Sequence, residues 1–93
     1  MNKARTADII VECVTNSNLM LLTYKREKDN KQIIRTVEPY EVKEVEGFWY
    51  LYAYDTTGRR VKGESRTRRI KSFLLNNIVS VSSQDREFKP RYW

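Results

Sequence analysis

The run Phe48-Trp49-Tyr50-Leu51-Tyr52-Ala53-Tyr54 constrains the fold more than any other segment. Aromatic and branched side chains in succession suit a pleated strand. Strand alternation puts Tyr50, Tyr52 and Tyr54 on one face and Trp49, Leu51 and Ala53 on the other. Trp49 and Leu51 are expected in the core, together with Leu22 and Phe73. The tyrosine face is expected to be partly exposed or covered by a helix. Gly47 marks the turn before this strand, and Thr56-Thr57-Gly58 ends it.

Around that strand the patterning gives one helix and further strands. Ile9, Ile10, Cys13 and Val14 fall on one face at helical spacing, with Thr6 or Asp8 as the cap, which predicts a helix over about 7–15. Cys13 on that face is expected as a small core residue. From Leu19 to Tyr24 both faces of a strand are largely apolar, as in a strand buried on both sides. Asp29-Asn30 in a charged stretch predicts a hairpin turn. Residues 32–37 return as a strand, and residues 40–45 continue extended. Pro39 between them has no backbone N–H and belongs at a strand end, edge or bulge. Residues 70–75 and 78–81 read as two last strands joined at Asn76-Asn77, a pair suited to a tight turn. The expected organisation is a single domain over 1–93: helix about 7–15, barrel about 19–82 and tail 83–93. About five strands after a short helix suggest a small closed barrel, since closure removes exposed sheet edges.

Composition narrows the chemistry. Ninety-three residues make one small domain with a modest core. The chain has no histidine and one cysteine. It therefore lacks the commonest general base and metal ligand, an intrachain disulfide, and any Ser-His or Cys-His nucleophile arrangement. Gly47, Gly58 and Gly63 are isolated, so no glycine loop cradles phosphate. Glu38, Glu41, Glu44 and Glu46 read as a solvated edge rather than paired catalytic carboxylates. No enzyme and no cofactor are expected. The lack of a long apolar stretch or a signal-peptide core predicts a soluble, reduced, cytoplasmic protein.

The net charge is +6 and the sequence pI about 9.6, which draws a small domain to nucleic acid, anionic lipid or an acidic protein. The charge concentrates in Arg59, Arg60, Lys62, Arg66, Arg68, Arg69 and Lys71, with Glu64 as the one acid among them. Such density can neutralise several phosphates, or it can be a loop that is positive for solubility. Tyrosines near such a tract are candidate platforms for stacked bases.

The segment Arg35-Thr36-Val37-Glu38-Pro39-Tyr40-Glu41-Val42, followed by Gly47-Phe48-Trp49-Tyr50-Leu51-Tyr52-Ala53-Tyr54-Asp55, resembles the WYL domain family. Trp49-Tyr50-Leu51 is the tripeptide that names it. The later Lys71-Ser72-Phe73-Leu74-Leu75-Asn76-Asn77-Ile78 fits the family's order, and the resemblance covers roughly residues 8–82. It implies an Sm-like, SH3-type five-stranded barrel with an N-terminal helix, of a kind found in bacteria and phages. It further implies a domain of transcription regulators or a stand-alone accessory factor, including ones linked to CRISPR systems. Such a domain binds nucleic acid or a nucleotide-like ligand and thereby regulates a partner. The chain is then either a stand-alone member or an excised piece of a longer protein. Tyr24 and Arg35 are ligand contacts implied by the family pattern. The family's usual arginine two residues before Phe73 is Lys71 here, and its arginine before Ile78 is Asn77. Lysine keeps the charge without the planar, bidentate fork.

The resulting expectation is a module that binds single-stranded nucleic acid or a polyanion through Tyr24, Arg35, Tyr40, Arg66, Arg68, Arg69 and Lys71. The alternative is a protein-interaction or oligomerisation module without nucleic-acid binding. The aromatic tail over residues 88–93 is expected to be covered rather than free in water, and homo-oligomers are part of the expectation.

Overall fold

The computed structural model describes residues 3–56 and 70–90. One helix, α1 (Lys3–Asn16), precedes five strands: β1 (Asn18–Lys25), β2 (Gln32–Val45), β3 (Phe48–Asp55), β4 (Ile70–Leu74) and β5 (Ile78–Glu87). A 3-10 turn, Leu75–Asn77, joins the last two. The strands form one antiparallel sheet in the order β4-β3-β2-β1-β5.

The helix is amphipathic as its spacing requires. Ile10 and Cys13 are fully buried, Ile9 and Val14 pack against the core, and Glu12 faces water. Burial pushes the Cys13 thiol above its ordinary value, partly offset by a hydrogen bond with Ser83. Ser17 stops the helix in a left-handed conformation, φ 53°, and its N–H reaches back to the Val14 carbonyl at 3.4 Å.

The β1–β2 hairpin closes where Asp29-Asn30 predicts it. Asn30 has φ 58°, and the Arg26 N–H bonds the Lys31 carbonyl at 2.9 Å. The Asp29 carboxylate accepts the Lys31 backbone N–H at 3.1 Å and pairs with Arg26. Those contacts hold its carboxyl below the ordinary value, the Lys31 N–H first.

β2 is one long strand rather than two. Straight, its fourteen residues would span about 43 Å, more than the molecule's longest dimension of 38 Å. It bends at a bulge: Pro39 opposes Ala53 and Glu41 opposes Tyr52, so Tyr40 is the extra residue. Pro39 sits there because a bulge tolerates a missing N–H.

The core is Met20, Leu22, Val37, Leu51, Ala53, Phe73, Ile78 and Val81 under Ile10 and Cys13. Further expectations are corrected. The barrel does not close: among the described residues no ladder joins β4 to β5, which are the sheet's two edges. The reason lies at Asn76-Asn77. These residues form a 3-10 turn without positive φ, which carries the chain round a corner instead of folding β5 back onto β4. Trp49 is 50% exposed. β4 pairs only Tyr50 to Tyr54, so Phe48 and Trp49 overhang the end of the core. Glu38 is buried, not solvated, and accepts a hydrogen bond from the Tyr40 hydroxyl at 2.8 Å. Finally, β5 runs on to Glu87, pairing with Asn18, well beyond Val81.

Phe88 follows directly. Its N–H bonds the Ser17 carbonyl at 2.8 Å, and its ring meets Tyr40 edge-on, centroids 5.5 Å apart. Phe88 therefore packs on its own domain.

Candidate nucleic-acid interface

The registers place a line of functional side chains diagonally across four strands. Opposite residues of an antiparallel pair share a face, and diagonal neighbours lie within reach of long side chains. Tyr24 on β1 opposes Ile33, and Leu22 opposes Arg35, so Arg35 is the diagonal neighbour of Tyr24. Val37 on β2 opposes Asp55 on β3, making Asp55 the next diagonal step. Ala53 opposes Lys71 on β4, which places Lys71 diagonal to Asp55. Leu22, Val37 and Ala53 are wholly buried, so this line runs along the core-lining face, where apolar packing gives way to charge.

Asp55 is the centre of the line. It is 2% exposed, and its Oδ2 lies 3.5 Å from Arg35 Nε and accepts a hydrogen bond from Lys71 Nζ at 3.2 Å. A buried carboxylate needs such partners. The two cations are not buried with it: their side chains are 32% and 51% exposed. Arg35 also donates from Nη1 to the Ile34 carbonyl at 2.9 Å. One acid between two accessible cations leaves this group of three with net positive charge at the surface. Nearby, Thr56 is fastened to β2, its N–H and hydroxyl both donating to the Thr36 carbonyl at 2.9 and 2.7 Å.

Tyr24 borders this charge. It is half-buried, with its ring edge-on to Phe73, centroids 5.2 Å apart and planes at 78°. One wall of the ring is thus fixed by the core, and part of it meets solvent.

Three of the sequence-predicted residues, Tyr24, Arg35 and Lys71, are brought together on one face. Tyr40 is not among them. It is 9% exposed, its hydroxyl is engaged by Glu38 and its ring by Phe88, so it has little free surface for a base. Arg66, Arg68 and Arg69 lie outside the described residues. Asp55 is the member that sequence reasoning misses. Its one signal is an acid at the end of the aromatic strand, shortly before a basic tract in the sequence. At Asn77, where the family pattern has arginine, the side-chain amide donates to Glu27 at 2.9 Å and ties the 3-10 turn to the β1–β2 hairpin.

Among the described residues no group of three or more His, Cys, Asp or Glu side chains is placed to hold a metal ion. Among them, too, no helix is long and apolar enough to cross a membrane.

The profile of the WYL domain family matches residues 5–82. Among solved structures the fold is similar to proteasome accessory factor B/C (PafBC) of Arthrobacter aurescens, with a TM-score of 0.74 and 18% sequence identity. That match covers 91% of this chain and 12% of the other, so the chain spans a small part of that protein's length. At this identity the likeness is one of fold. No curated protein sequence matches the chain.

Proposed function

The chain belongs to the WYL domain family, and on that premise we propose that it is a regulatory module whose Tyr24–Arg35–Lys71 face binds single-stranded nucleic acid or a nucleotide-like polyanion to modulate a partner. The observation that carries this reading is the convergence of Arg35 and Lys71 on the buried Asp55 Oδ2. A fixed carboxylate holds two accessible cations close together, so a phosphate arriving there meets donors already in place. Tyr24 beside them offers a ring for one base. Arg66, Arg68 and Arg69 add charge to the same tract of sequence as Lys71 and extend phosphate tracking along a strand.

The reading is of a binding module, not an enzyme. It also fits a cytoplasmic protein. Sequence preference should be weak, because cations and a stacking ring read backbone and π-face rather than base edges. The test is a titration of labelled single-stranded DNA and RNA into the wild type, Arg35→Ala and Lys71→Ala, each checked for folding by circular dichroism. Loss of affinity in both variants supports the reading. The alternative, an interaction module without nucleic-acid binding, predicts that neither strand binds even at low salt, or that both bind no better than heparin.

A further inference from the structure

A second surface lies at the far end of β2, away from Arg35, Asp55 and Lys71. Trp49 is six positions before Asp55 on β3, about 20 Å along an extended strand. Here Phe48 is 52% and Trp49 50% exposed, with Val45 beside them at 39%. A cleft of about 300 Å³ opens between this overhang, the start of α1 and the 3-10 turn. Thr6, Ala7, Phe48, Trp49, Leu75 and Ile78 line it, so it is mainly apolar. Clefts of this size take the side chains of a ligand or a partner. An exposed tryptophan beside an apolar cleft is the kind of anchor on which interfaces concentrate their energy.

Charge decides between occupants. In a chain of net charge +6, the stretch over residues 38–46 carries four glutamates and one lysine. Glu44 stands directly opposite Trp49 in the β2–β3 ladder, and both Glu44 and Glu46 are exposed. Lys43 on the same hairpin is exposed too, as are Arg5 and Asp8 near the start of α1, so among these described side chains three acids stand against two cations, with Glu44 the one set directly opposite Trp49. Phosphates next to Glu44 and Glu46 would be repelled, so the Trp49 ring is a poor base platform. A second copy docking hairpin to hairpin would face the same acids with its own.

We propose that this cleft docks a lysine- or arginine-flanked apolar segment of a partner protein. The apolar side chain enters beside Trp49, and its basic flanks meet Glu44 and Glu46. This surface is separate from the nucleic-acid face, so either reading can fail without the other.

The experiment uses the full chain with Trp93→Phe, which leaves Trp49 as its one indole. Without ligand, Trp49 should keep a larger share of the caesium quenching shown by free N-acetyltryptophanamide than of its iodide quenching, despite the positive net charge. An amphipathic leucine–lysine peptide should shift that emission to the blue, and its leucine–glutamate counterpart should bind at least about tenfold more weakly, a difference of about 1.4 kcal/mol. Glu44→Lys with Glu46→Lys, both at exposed positions, should weaken the leucine–lysine peptide by a similar factor while leaving the circular dichroism unchanged. Iodide quenching retained as fully as caesium quenching on that scale, equal binding of the two peptides, no blue shift with either, or indifference to the charge reversal would each overturn the proposal. So would a blue shift produced by a single-stranded oligonucleotide.

Discussion

Tyr24 on β1 and Phe73 on β4 touch edge to face at 5.2 Å, although β2 and β3 lie between their strands in the sheet. In a flat sheet, strands three places apart stand roughly 14 Å from each other. The contact therefore measures how far the sheet curls: it wraps its own core, with no ladder between its edges among the described residues. The same curl brings the Tyr24 ring towards the cations of β2 and β4.

Phe73 should accordingly be a keystone, and Trp49 should not. Phe73 is 4% exposed, and Phe73→Ala should cost about 3–5 kcal/mol. Trp49→Ala at the overhang should cost about 1 kcal/mol or less. Urea melts of the two variants check the contrast. Equal losses would mean that the overhang is part of the core.

The fold class was legible in residues 48–54, and the hairpin in Asp29-Asn30, because alternation and turn chemistry are local. What went unread depended on partners. Leu51 and Trp49 share a face by alternation, yet Leu51 is opposed by Phe73 while Trp49 lies beyond the last pair of β4. Nothing in the local sequence fixes where β4 stops. Tyr40 reads like the other tyrosines, but the bulge at Pro39 turns it into a buried residue between Glu38 and Phe88. Of the candidate site, Lys71 was legible as a cation of the basic tract, and Tyr24 and Arg35 through the family pattern. Asp55, which gathers the two cations, was not, because its role exists only through a register across three strands.

Asp55→Asn separates stability from binding. Removing the carboxylate leaves Arg35 and Lys71 without their buried partner and should destabilise the domain by about 1–3 kcal/mol. It also frees the two cations from their shared anchor, so polyanion affinity should fall although the local positive charge rises by one. Thermal melts and an oligonucleotide titration on the same sample check both halves. A stable variant with unchanged or tighter binding would contradict the assignment.

Phe88→Ala should lower stability by about 1–3 kcal/mol without changing the sedimentation mass, because the ring packs on Tyr40 of its own chain. A fall in mass would show instead that this ring holds subunits together.

Cys13 should be silent to alkylating reagents at pH 8 until the protein unfolds, since it is 1% exposed and its thiol is raised above its ordinary value, 9.0, mainly by burial. Below that value both states keep the proton, and the stability is fully present. Above it the unfolded thiol ionises first, so stability declines as pH rises through the raised folded value. Cys13→Ser, which removes the titrating thiol, should flatten that alkaline decline in melts taken across the pH range.

The salt dependence of single-strand binding tests the central claim most directly. Three to five phosphate contacts, at roughly −0.7 each, give a log–log slope of about −2 to −3.5. Reversing Arg66, Arg68 and Arg69 to glutamate should flatten the slope and weaken all sequences alike. Lys71→Ala should reduce it by about one contact. Tyr24→Ala should cost about 1–3 kcal/mol per stacked base and leave the slope unchanged. Fluorescence anisotropy of a labelled oligonucleotide across a salt series gives all four numbers. Binding that is absent at low salt in the folded protein, or whose slope ignores both Lys71 and the arginines, would contradict the account.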